Sequence, residues 1–178
     1  FATQGGLSRA LFRAAASFIG HIRGGLAMAA IMSAAAFGAV CGSSVATSAT
    51  ITQVAYPEMK AHGYHGRLST GTLAVGGTLG ILIPPSVPLV VYAILTEQNI
   101  AKLFAAAMVP GLLAMLGYLV VIGLVCWRRP ALAPAGPRMG WAPRWRALLG
   151  IWPIVAIFVG LVEFAGGVRG LVLNLEDD

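Results

Sequence analysis

Six hydroxyl side chains lie within ten positions of an apolar stretch, directly after Gly42: Ser43, Ser44, Thr47, Ser48, Thr50 and Thr52. A helix that begins at Ser43 would carry them in two rows, Ser43/Thr47/Thr50 and Ser44/Ser48/Thr52. Its first turn would present free N–H groups and the positive end of the helix dipole, which suit a carboxylate or another anion. The last carbonyls of the preceding helix would suit a cation such as Na⁺. The alternative is that these hydroxyls bond to backbone carbonyls and let membrane helices pack closely.

A second break is predicted in the sequence GGTLGILIPPS, residues 76–86. Three glycines loosen the helix, and Pro84-Pro85 removes two backbone donors. We therefore predict that the helix unwinds around Gly80–Pro85 and restarts near Ser86. The alternative is a simple proline kink whose backbone groups bond to water or to Ser and Thr. Two successive broken segments are typical of a binding site at the membrane midplane.

Other residues that could do chemistry give weaker signals. Glu58, His62 and His65 could bind a metal, but their position after an apolar stretch favours a solvated loop. Glu97 precedes a predicted helix restart at Asn99–Phe104 and is expected to be an acidic residue at that helix start. The first three apolar stretches contain no Asp or Glu, which favours coupling to Na⁺ over a carboxylate proton relay. Nothing resembles a nucleophile–base pair or a phosphate-binding loop, so we predict that the chain is not an enzyme.

The composition predicts a membrane protein. Hydrophobic residues make up 58% of the 178 residues and charged residues 10%, whereas soluble domains carry about 25% charged residues. The net charge of +6 comes from residues in the gaps between apolar runs, which favours topology signals over a nucleic-acid surface. Cys41 and Cys126 lie within apolar runs and are expected to be small buried residues.

Four stretches lack Asp, Glu, Lys and Arg: Gly24–Pro57, Leu68–Thr96, Leu103–Trp127 and Ala147–Val162. A membrane-spanning helix needs about 20 residues. The first stretch would be about 51 Å long as one helix, yet it is too short for two full spans and a turn. We therefore predict a re-entrant hairpin at about 24–57 with its tip near Gly42-Ser43-Ser44, and a discontinuous transmembrane helix at about 68–96.

The basic residues support this topology. If segment 24–57 returns to its own side, segment 68–96 crosses once and segment 103–127 crosses back. Ten basic residues then share the presumed cytoplasmic face, and Lys102 and Arg169 lie on the other. The ten are Arg9, Arg13, Arg23, Lys60, Arg67, Arg128, Arg129, Arg138, Arg144 and Arg146.

The predicted organisation has five parts. Segment 1–23 is an interfacial amphipathic helix with an apolar stripe through Leu7, Leu11, Ala14/Ala15, Phe18 and Ile22. Segment 24–127 holds the hairpin, the broken helix and a spanning helix. A basic cytoplasmic loop (128–146), a partial transmembrane helix (147–162) and an atypical tail (163–178) follow. The predicted fold class is an all-α integral membrane helical bundle.

Several motifs strongly resemble one family, the large membrane subunit of tripartite ATP-independent periplasmic (TRAP) transporters, the DctM-like subunit. They are Gly24-Gly25-Leu26-Ala27, GSSVATSATI (Gly42–Ile51), PEMKAHGY (Pro57–Tyr64), STGTLAVGGTLGILIPPS (Ser69–Ser86), YAILTEQNIAKLF (Tyr92–Phe104) and VPGLL (Val109–Leu113). The resemblance runs from about Gly6 to Pro153.

The resemblance implies a sodium-coupled importer of organic acids, such as dicarboxylates or sialic acids, in the bacterial inner membrane. A periplasmic binding protein would deliver the substrate, a small TRAP membrane subunit would stand beside the chain in the lipid bilayer, and Na⁺ would be the coupling ion, with no other cofactor. The chain would be half of an inverted-repeat elevator transporter. A Na⁺-site role is implied for Ser43, Ser44, Gly77, Thr78 and Gly80, and a place near the substrate anion for Thr47, Pro85 and Ser86.

Two departures from the family pattern leave alternatives open. The second repeat is absent, and after Gly160 the usual Thr-Pro-Thr-Glu motif is replaced by the sequence of residues 161–178. We expect this tail to reflect a truncation or a reading-frame error. The alternative functions are an anion/Na⁺ symporter that needs no binding protein and an inactive truncated membrane fragment.

Overall fold

A computed structural model describes residues 6–135 and Trp152, and no strand occurs among them. The predictions for 147–178 and for most of the loop 128–146 therefore lie outside the described residues, apart from Trp152. The all-helical prediction is confirmed for the rest. The helices are α1 (Leu7–Ile19), α2 (Gly25–Cys41), α3 (Ser44–Ala61), α4 (Gly66–Leu82), α5 (Val87–Leu95) and α6 (Ile100–Arg128), followed by a 3₁₀ turn at Pro130–Leu132.

The first predicted break lies where the sequence places it. Helix α2 ends at Cys41, and Gly42 has a φ of 64°, a left-handed conformation that glycine adopts without strain. Ser43 is extended, and its hydroxyl accepts a hydrogen bond from the Ala46 N–H at 3.4 Å, as an N-cap residue does. Helices α2 and α3, of 17 and 18 residues, pack against each other and against α4.

The predicted end of this helix pair at Pro57 is wrong by one turn. Helix α3 continues through Pro57 to Ala61, because the residues after the proline still bond, as the His62 N–H does to the Glu58 carbonyl at 3.1 Å. Glu58 therefore lies in the last turn of a helix, not in the predicted loop. Its carboxylate is 4.0 Å from the His62 ring.

The second break is shorter than predicted. Helix α4 continues to Leu82, and α5 restarts at Val87 after the non-helical residues Ile83–Ser86. The predicted unwinding at Gly80 is wrong, because Ile83 still donates to the Leu79 carbonyl at 3.0 Å. The helix stops there because Pro84 and Pro85, which follow, have no backbone N–H to donate in a further turn.

Helix α6 begins where the sequence predicts a restart, with Asn99 as its N-cap. The Asn99 side chain accepts hydrogen bonds from the N–H groups of Ala101 at 3.0 Å and Lys102 at 3.2 Å. Glu97 lies before this cap with a positive φ of 54°, so the prediction for it is wrong. The segment Gly66–Leu95 and helix Ile100–Arg128 are both long and apolar enough to cross a membrane.

Helix α1 packs its apolar side on α2 and α3. Leu11, Phe12 and Ala14 are buried, whereas Arg9 and Arg13 are exposed. The helix is shorter than the predicted amphipathic segment. The predicted stripe is wrong at its end: α1 stops at Ile19, Phe18 is 38% exposed, and Ile22, which lies beyond the helix, is 46% exposed.

The start of α2, the loop between α3 and α4, and the turn after α6 meet at one end of the bundle, here called the base. The Leu26 N–H donates to the Tyr64 hydroxyl at 3.2 Å, which gives a buried partner to a first-turn N–H of α2. The His65 N–H donates to the Leu132 carbonyl at 3.0 Å. These bonds fix both outer ends of the α2/α3 pair beside the end of α6.

Candidate functional site

The two helix breaks lie against each other at the end opposite to the base. The Val87 N–H, at the start of α5, donates to the Gly42 carbonyl at 3.4 Å. A Cβ added to Gly42 would lie 3.0 Å from the Pro85 carbonyl oxygen and 3.6 Å from the Ser86 Cα. The starts of α3 and α5 and the ends of α2 and α4 therefore meet in one region.

Glycines on α4 bring the hydroxyl rows of α3 onto the α4 backbone. A Cβ on Gly80 would lie 2.5 Å from the Thr47 Oγ1 and 2.8 Å from the Ser43 carbonyl oxygen. A Cβ on Gly77 would lie 2.6 Å from the Ser48 Cβ. No larger side chain fits at either position without displacement of α3.

Two hydroxyls in this region are fully buried and unpaired. Thr47 and Ser86 are each 0% exposed. Neither the Thr47 Oγ1 nor the Ser86 Oγ has a hydrogen-bond partner within residues 6–135. A buried polar atom without a partner costs about 1–3 kcal/mol, so the arrangement favours a ligand that supplies the missing interaction.

The donor set fits a hard cation. Hard cations are held by oxygen atoms, and this region offers two unpaired hydroxyls and the last carbonyls of α2 and α4, which lack partners within their own helices. The two helix N-termini that begin here suit an anion instead. The region therefore combines oxygen atoms of the kind that bind a cation with helix starts of the kind that attract an anion.

A cavity of about 290 Å³ opens at the breaks, and none of its lining side chains is charged. Residues of both breaks and valines of α2 and α5 line it: Val40, Cys41, Gly42, Pro85, Ser86, Val87, Val90 and Val91. Attraction of an anion into this cavity would come from helix N-termini rather than from basic side chains.

Most of the predicted site residues come together. Thr47, Gly80, Pro85 and Ser86 lie at the contact of the two breaks, and Ser43 faces it with its backbone carbonyl while its hydroxyl caps α3. Gly77 lies one turn earlier, against Ser48. Ser44 is the half-buried first residue of α3.

The Thr78 side chain is not at this contact. It is exposed, and its hydroxyl donates to the Val75 carbonyl at 2.7 Å and lies 3.2 Å from the Tyr118 hydroxyl of α6.

Sequence reasoning missed Gly38. A Cβ on this residue of α2 would lie 2.6 Å from the Gly80 Cα, so the two backbones touch. The spacing of Gly38 and Gly42, one helical turn apart, was the available signal, because small residues at this spacing let membrane helices approach closely.

Comparison with known proteins places this chain in a protein family. The sequence model of one protein family, the DctM component of the tripartite ATP-independent periplasmic transporter, matches residues 1–170. The chain is 44% identical over 169 residues to the C4-dicarboxylate TRAP transporter large permease protein DctM of Pseudomonas aeruginosa, covering 93% of this chain and 39% of the relative.

Two further relatives have other named substrates. The sialic acid TRAP transporter large permease protein SiaM of Vibrio cholerae is 34% identical over 70% of this chain and 29% of its own length. The ectoine TRAP transporter large permease protein TeaC of Halomonas elongata is 32% identical over 85% of this chain and 35% of its own length. The chain thus spans less than half the length of these curated relatives.

The relatives are named as permease subunits of transporters, which confirms the prediction that the chain is not an enzyme. The match over residues 1–170 and the shared identities confirm the resemblance drawn from the motifs. The chain is a membrane protein that belongs to the DctM component family, the large permease subunits of TRAP transporters.

Proposed function

We propose that this chain supplies one half of the binding machinery of a sodium-coupled secondary transporter that imports organic acids. The observation that carries the proposal is the direct contact of the two helix breaks, with the unpaired Thr47 and Ser86 hydroxyls buried beside it. Na⁺ would be held by these hydroxyls together with helix-end carbonyls. Family membership supports transport as the activity.

The bound cation would order the anion site. The backbone hydrogen bond between the breaks, from the Val87 N–H to the Gly42 carbonyl, is long at 3.4 Å and therefore weak. A cation bridging the α2/α3 break and the α4/α5 break would hold the starts of α3 and α5 next to each other. The free N–H groups in the first turn of α3 would then be pre-organised for a carboxylate, which couples substrate affinity to Na⁺. The start of α5 adds little, because its Val87 N–H donates to Gly42 and Pro88 has no N–H.

The packing along α6 supports a re-entrant position for the α2/α3 pair. At the base, a Cβ on Gly24 would lie 2.6 Å from the Cys126 Sγ, near the end of α6. At the breaks, a Cβ on Gly111 would lie 3.1 Å from the Leu82 carbonyl oxygen. Gly111 is in the twelfth position of α6, so about 16 Å of this helix extends past the breaks. A hairpin that dips to mid-membrane and returns to its own side has this geometry.

The proposed substrates carry a carboxylate, and the proposed partners are a small membrane subunit and a periplasmic binding protein. Of the three relatives described above, one is named for C4-dicarboxylates and one for sialic acid, which are both carboxylates. The uncharged lining of the cavity and the start of α3 beside it, directly after the lining residue Gly42, suit such an anion. The proposed location is the bacterial inner membrane, which the chain would cross more than once.

A chimera tests this function. The matching segment of the Pseudomonas aeruginosa relative is replaced by this chain, and the protein is reconstituted in liposomes with that transporter's own partner subunits. We expect uptake of a labelled C4-dicarboxylate that requires both an inward Na⁺ gradient and the binding protein. Uptake that does not depend on Na⁺ would contradict the proposal. Uptake without the binding protein would support an independent anion/Na⁺ symporter instead, and no uptake would support an inactive fragment.

A further inference from the structure

A second cavity, of about 460 Å³, lies between α1 and α3, away from the helix breaks. Helix α1 contributes Arg9, Phe12 and Arg13, and α3 contributes Gln53, Glu58 and apolar residues of its second half. The candidate site described above contains none of these residues.

The charges in this cavity are not balanced. Arg9 and Arg13 are one helical turn apart and exposed, and within residues 6–135 neither guanidinium has a carboxylate within 4 Å. Glu58, the one acidic residue in the lining, has its carboxylate 4.0 Å from the His62 ring. The cavity therefore carries two positive charges against one negative charge, and it lacks an anion that would pair with the arginines.

The cavity also has an apolar side. Val54, Pro57 and Ala61 of α3 give it an aliphatic surface, whereas Phe12 is only 2% exposed and packs into the bundle beneath. A free inorganic anion would gain nothing from these groups, whereas an amphiphile with an anionic head would use both parts of the cavity.

We propose that this cavity binds the phosphate headgroup of an anionic phospholipid. Guanidinium groups bind phosphate oxygens in pairs, and a short amphipathic helix with exposed arginines is suited to the headgroup layer of a membrane. The two guanidiniums contact the phosphate, Gln53 supplies an amide donor, and the glycerol and first methylenes lie against Val54 and Pro57.

The lipid then contacts both α1 and α3. Because α3 carries the Thr47 hydroxyl at its other end, an occupied lipid site fixes the helix that the candidate cation site depends on. This inference rests on the cavity and on membrane location, and not on Na⁺ coupling or on organic acids as substrates.

The test compares lipids and matched arginine variants of the 178-residue chain in detergent. Native mass spectrometry measures retained lipid after addition of phosphatidylglycerol or phosphatidylcholine. We expect preferential retention of phosphatidylglycerol, and a loss of affinity of about fivefold for each arginine removed in Arg9→Gln/Arg13→Gln. The control, Arg67→Gln/Arg128→Gln, removes the same charge from exposed residues outside the cavity and should retain the preference. Equal losses in both variants would overturn the proposal, since general attraction would explain them.

A second variant keeps the test decisive if the double arginine variant does not fold. Glu58→Gln removes the negative charge from the lining and should raise the affinity for phosphatidylglycerol several-fold while leaving phosphatidylcholine unaffected. An unchanged or lowered affinity would overturn the proposal. Inorganic phosphate and glycerol phosphate are added as competitors, and full competition by either at concentrations near that of the lipid would overturn the assignment to a lipid.

Discussion

At the scale of single residues, the contact between α3 and α4 depends on the absence of side chains. Gly77 and Gly80 let Ser48 and Thr47 lie directly on the α4 backbone. The same contact buries the Thr47 hydroxyl completely. The glycines therefore position the atoms that we propose as cation ligands, although they offer no side-chain donor of their own.

Gly80→Ala should destabilise the chain. The new methyl group would lie 2.5 Å from the Thr47 Oγ1 and 2.8 Å from the Ser43 carbonyl oxygen, so α3 must move, at a cost of about 1–3 kcal/mol. The control is Gly71→Ala in the same helix, where nothing lies within 4 Å of the added Cβ and alanine is the better helix former. Thermal unfolding in detergent should show a lowered midpoint for Gly80→Ala and an unchanged or raised midpoint for Gly71→Ala. Equal midpoints would contradict the close contact.

The residue types of the candidate site could be predicted, but the direction of each side chain could not. The two breaks follow from their glycines and prolines, while the site roles of Ser43, Thr47, Gly80, Pro85 and Ser86 are implied by the family resemblance. Thr78 belongs to the same motif, yet it lies about 100° around the helix from Gly77 and faces α6 instead. Which face of α4 meets α3 is decided by packing, which a single sequence does not specify.

At the scale of helices and loops, Tyr64 joins the loop between α3 and α4 to the start of α2. Burial raises the pKa of Tyr64 above its ordinary value, and the hydrogen bond from the Leu26 N–H partly offsets this by lowering it. The folded state therefore favours the protonated phenol, which adds stability below a pH of about 10. That contribution declines as the pH rises from about 10 through the raised pKa.

Tyr64→Phe should lower the free energy of unfolding by about 1 kcal/mol at neutral pH, since the Leu26 N–H loses its partner. The difference between wild type and variant should shrink above a pH of about 10, because the phenol then ionises in the unfolded wild type while it stays protonated in the folded state. Chemical denaturation at several pH values measures it, with Tyr92→Phe, an exposed tyrosine, as the control. A difference that grows with pH would contradict the buried, protonated phenol.

The first turn of α6 is stabilised by an uncharged N-cap residue, Asn99. Asn99→Ala removes the acceptor of the Ala101 and Lys102 N–H groups and should cost about 0.5–2 kcal/mol. Gln98→Ala changes the neighbouring side chain, which only donates to the Thr96 carbonyl, and serves as the control. Unfolding midpoints in detergent should fall for Asn99→Ala alone, and equal effects of the two variants would contradict the assigned cap.

The existence of the helices was predictable, while several of their ends were not. Gly42 and Ser43 predict a break because one favours a left-handed φ and the other an N-cap. The end predicted at Pro57, where the uncharged stretch stops before Glu58, does not occur, since a charged residue can lie in the last exposed turn of a helix. The restart at Asn99 was predicted, but Glu97, expected to act at that helix start, lies outside the first turn of α6.

At the scale of the whole molecule, the proposed topology places both outer ends of the α2/α3 pair on one membrane face. Arg23 precedes α2, and Lys60 lies in the last turn of α3. The Tyr64 and Leu132 bonds hold these ends near the end of α6. Lys102, at the start of α6, lies at the opposite end of that helix.

Cysteine labelling tests this topology. Arg23→Cys, Lys60→Cys and Lys102→Cys are made one at a time after Cys41 and Cys126 are changed to alanine, and all three positions are exposed. A membrane-impermeant thiol reagent added to spheroplasts should label position 102 but not 23 or 60. In inverted vesicles the pattern should reverse. Labelling of positions 23 and 60 from opposite sides would contradict a hairpin that returns to its own face.

The central claim is that the two helix breaks hold Na⁺, and its most direct test is the thermal unfolding of this chain in NaCl against KCl at equal ionic strength. Binding to the folded state alone adds about 1.4 kcal/mol at ten times the dissociation constant. We predict a higher midpoint in NaCl for wild type, and loss of that difference in Thr47→Val and Ser86→Ala, since each removes a buried unpaired hydroxyl. Thr72→Val, a buried threonine two turns before Gly80, should keep it. Equal midpoints in the two salts for wild type, or a Na⁺ effect that survives in both variants, would contradict the account.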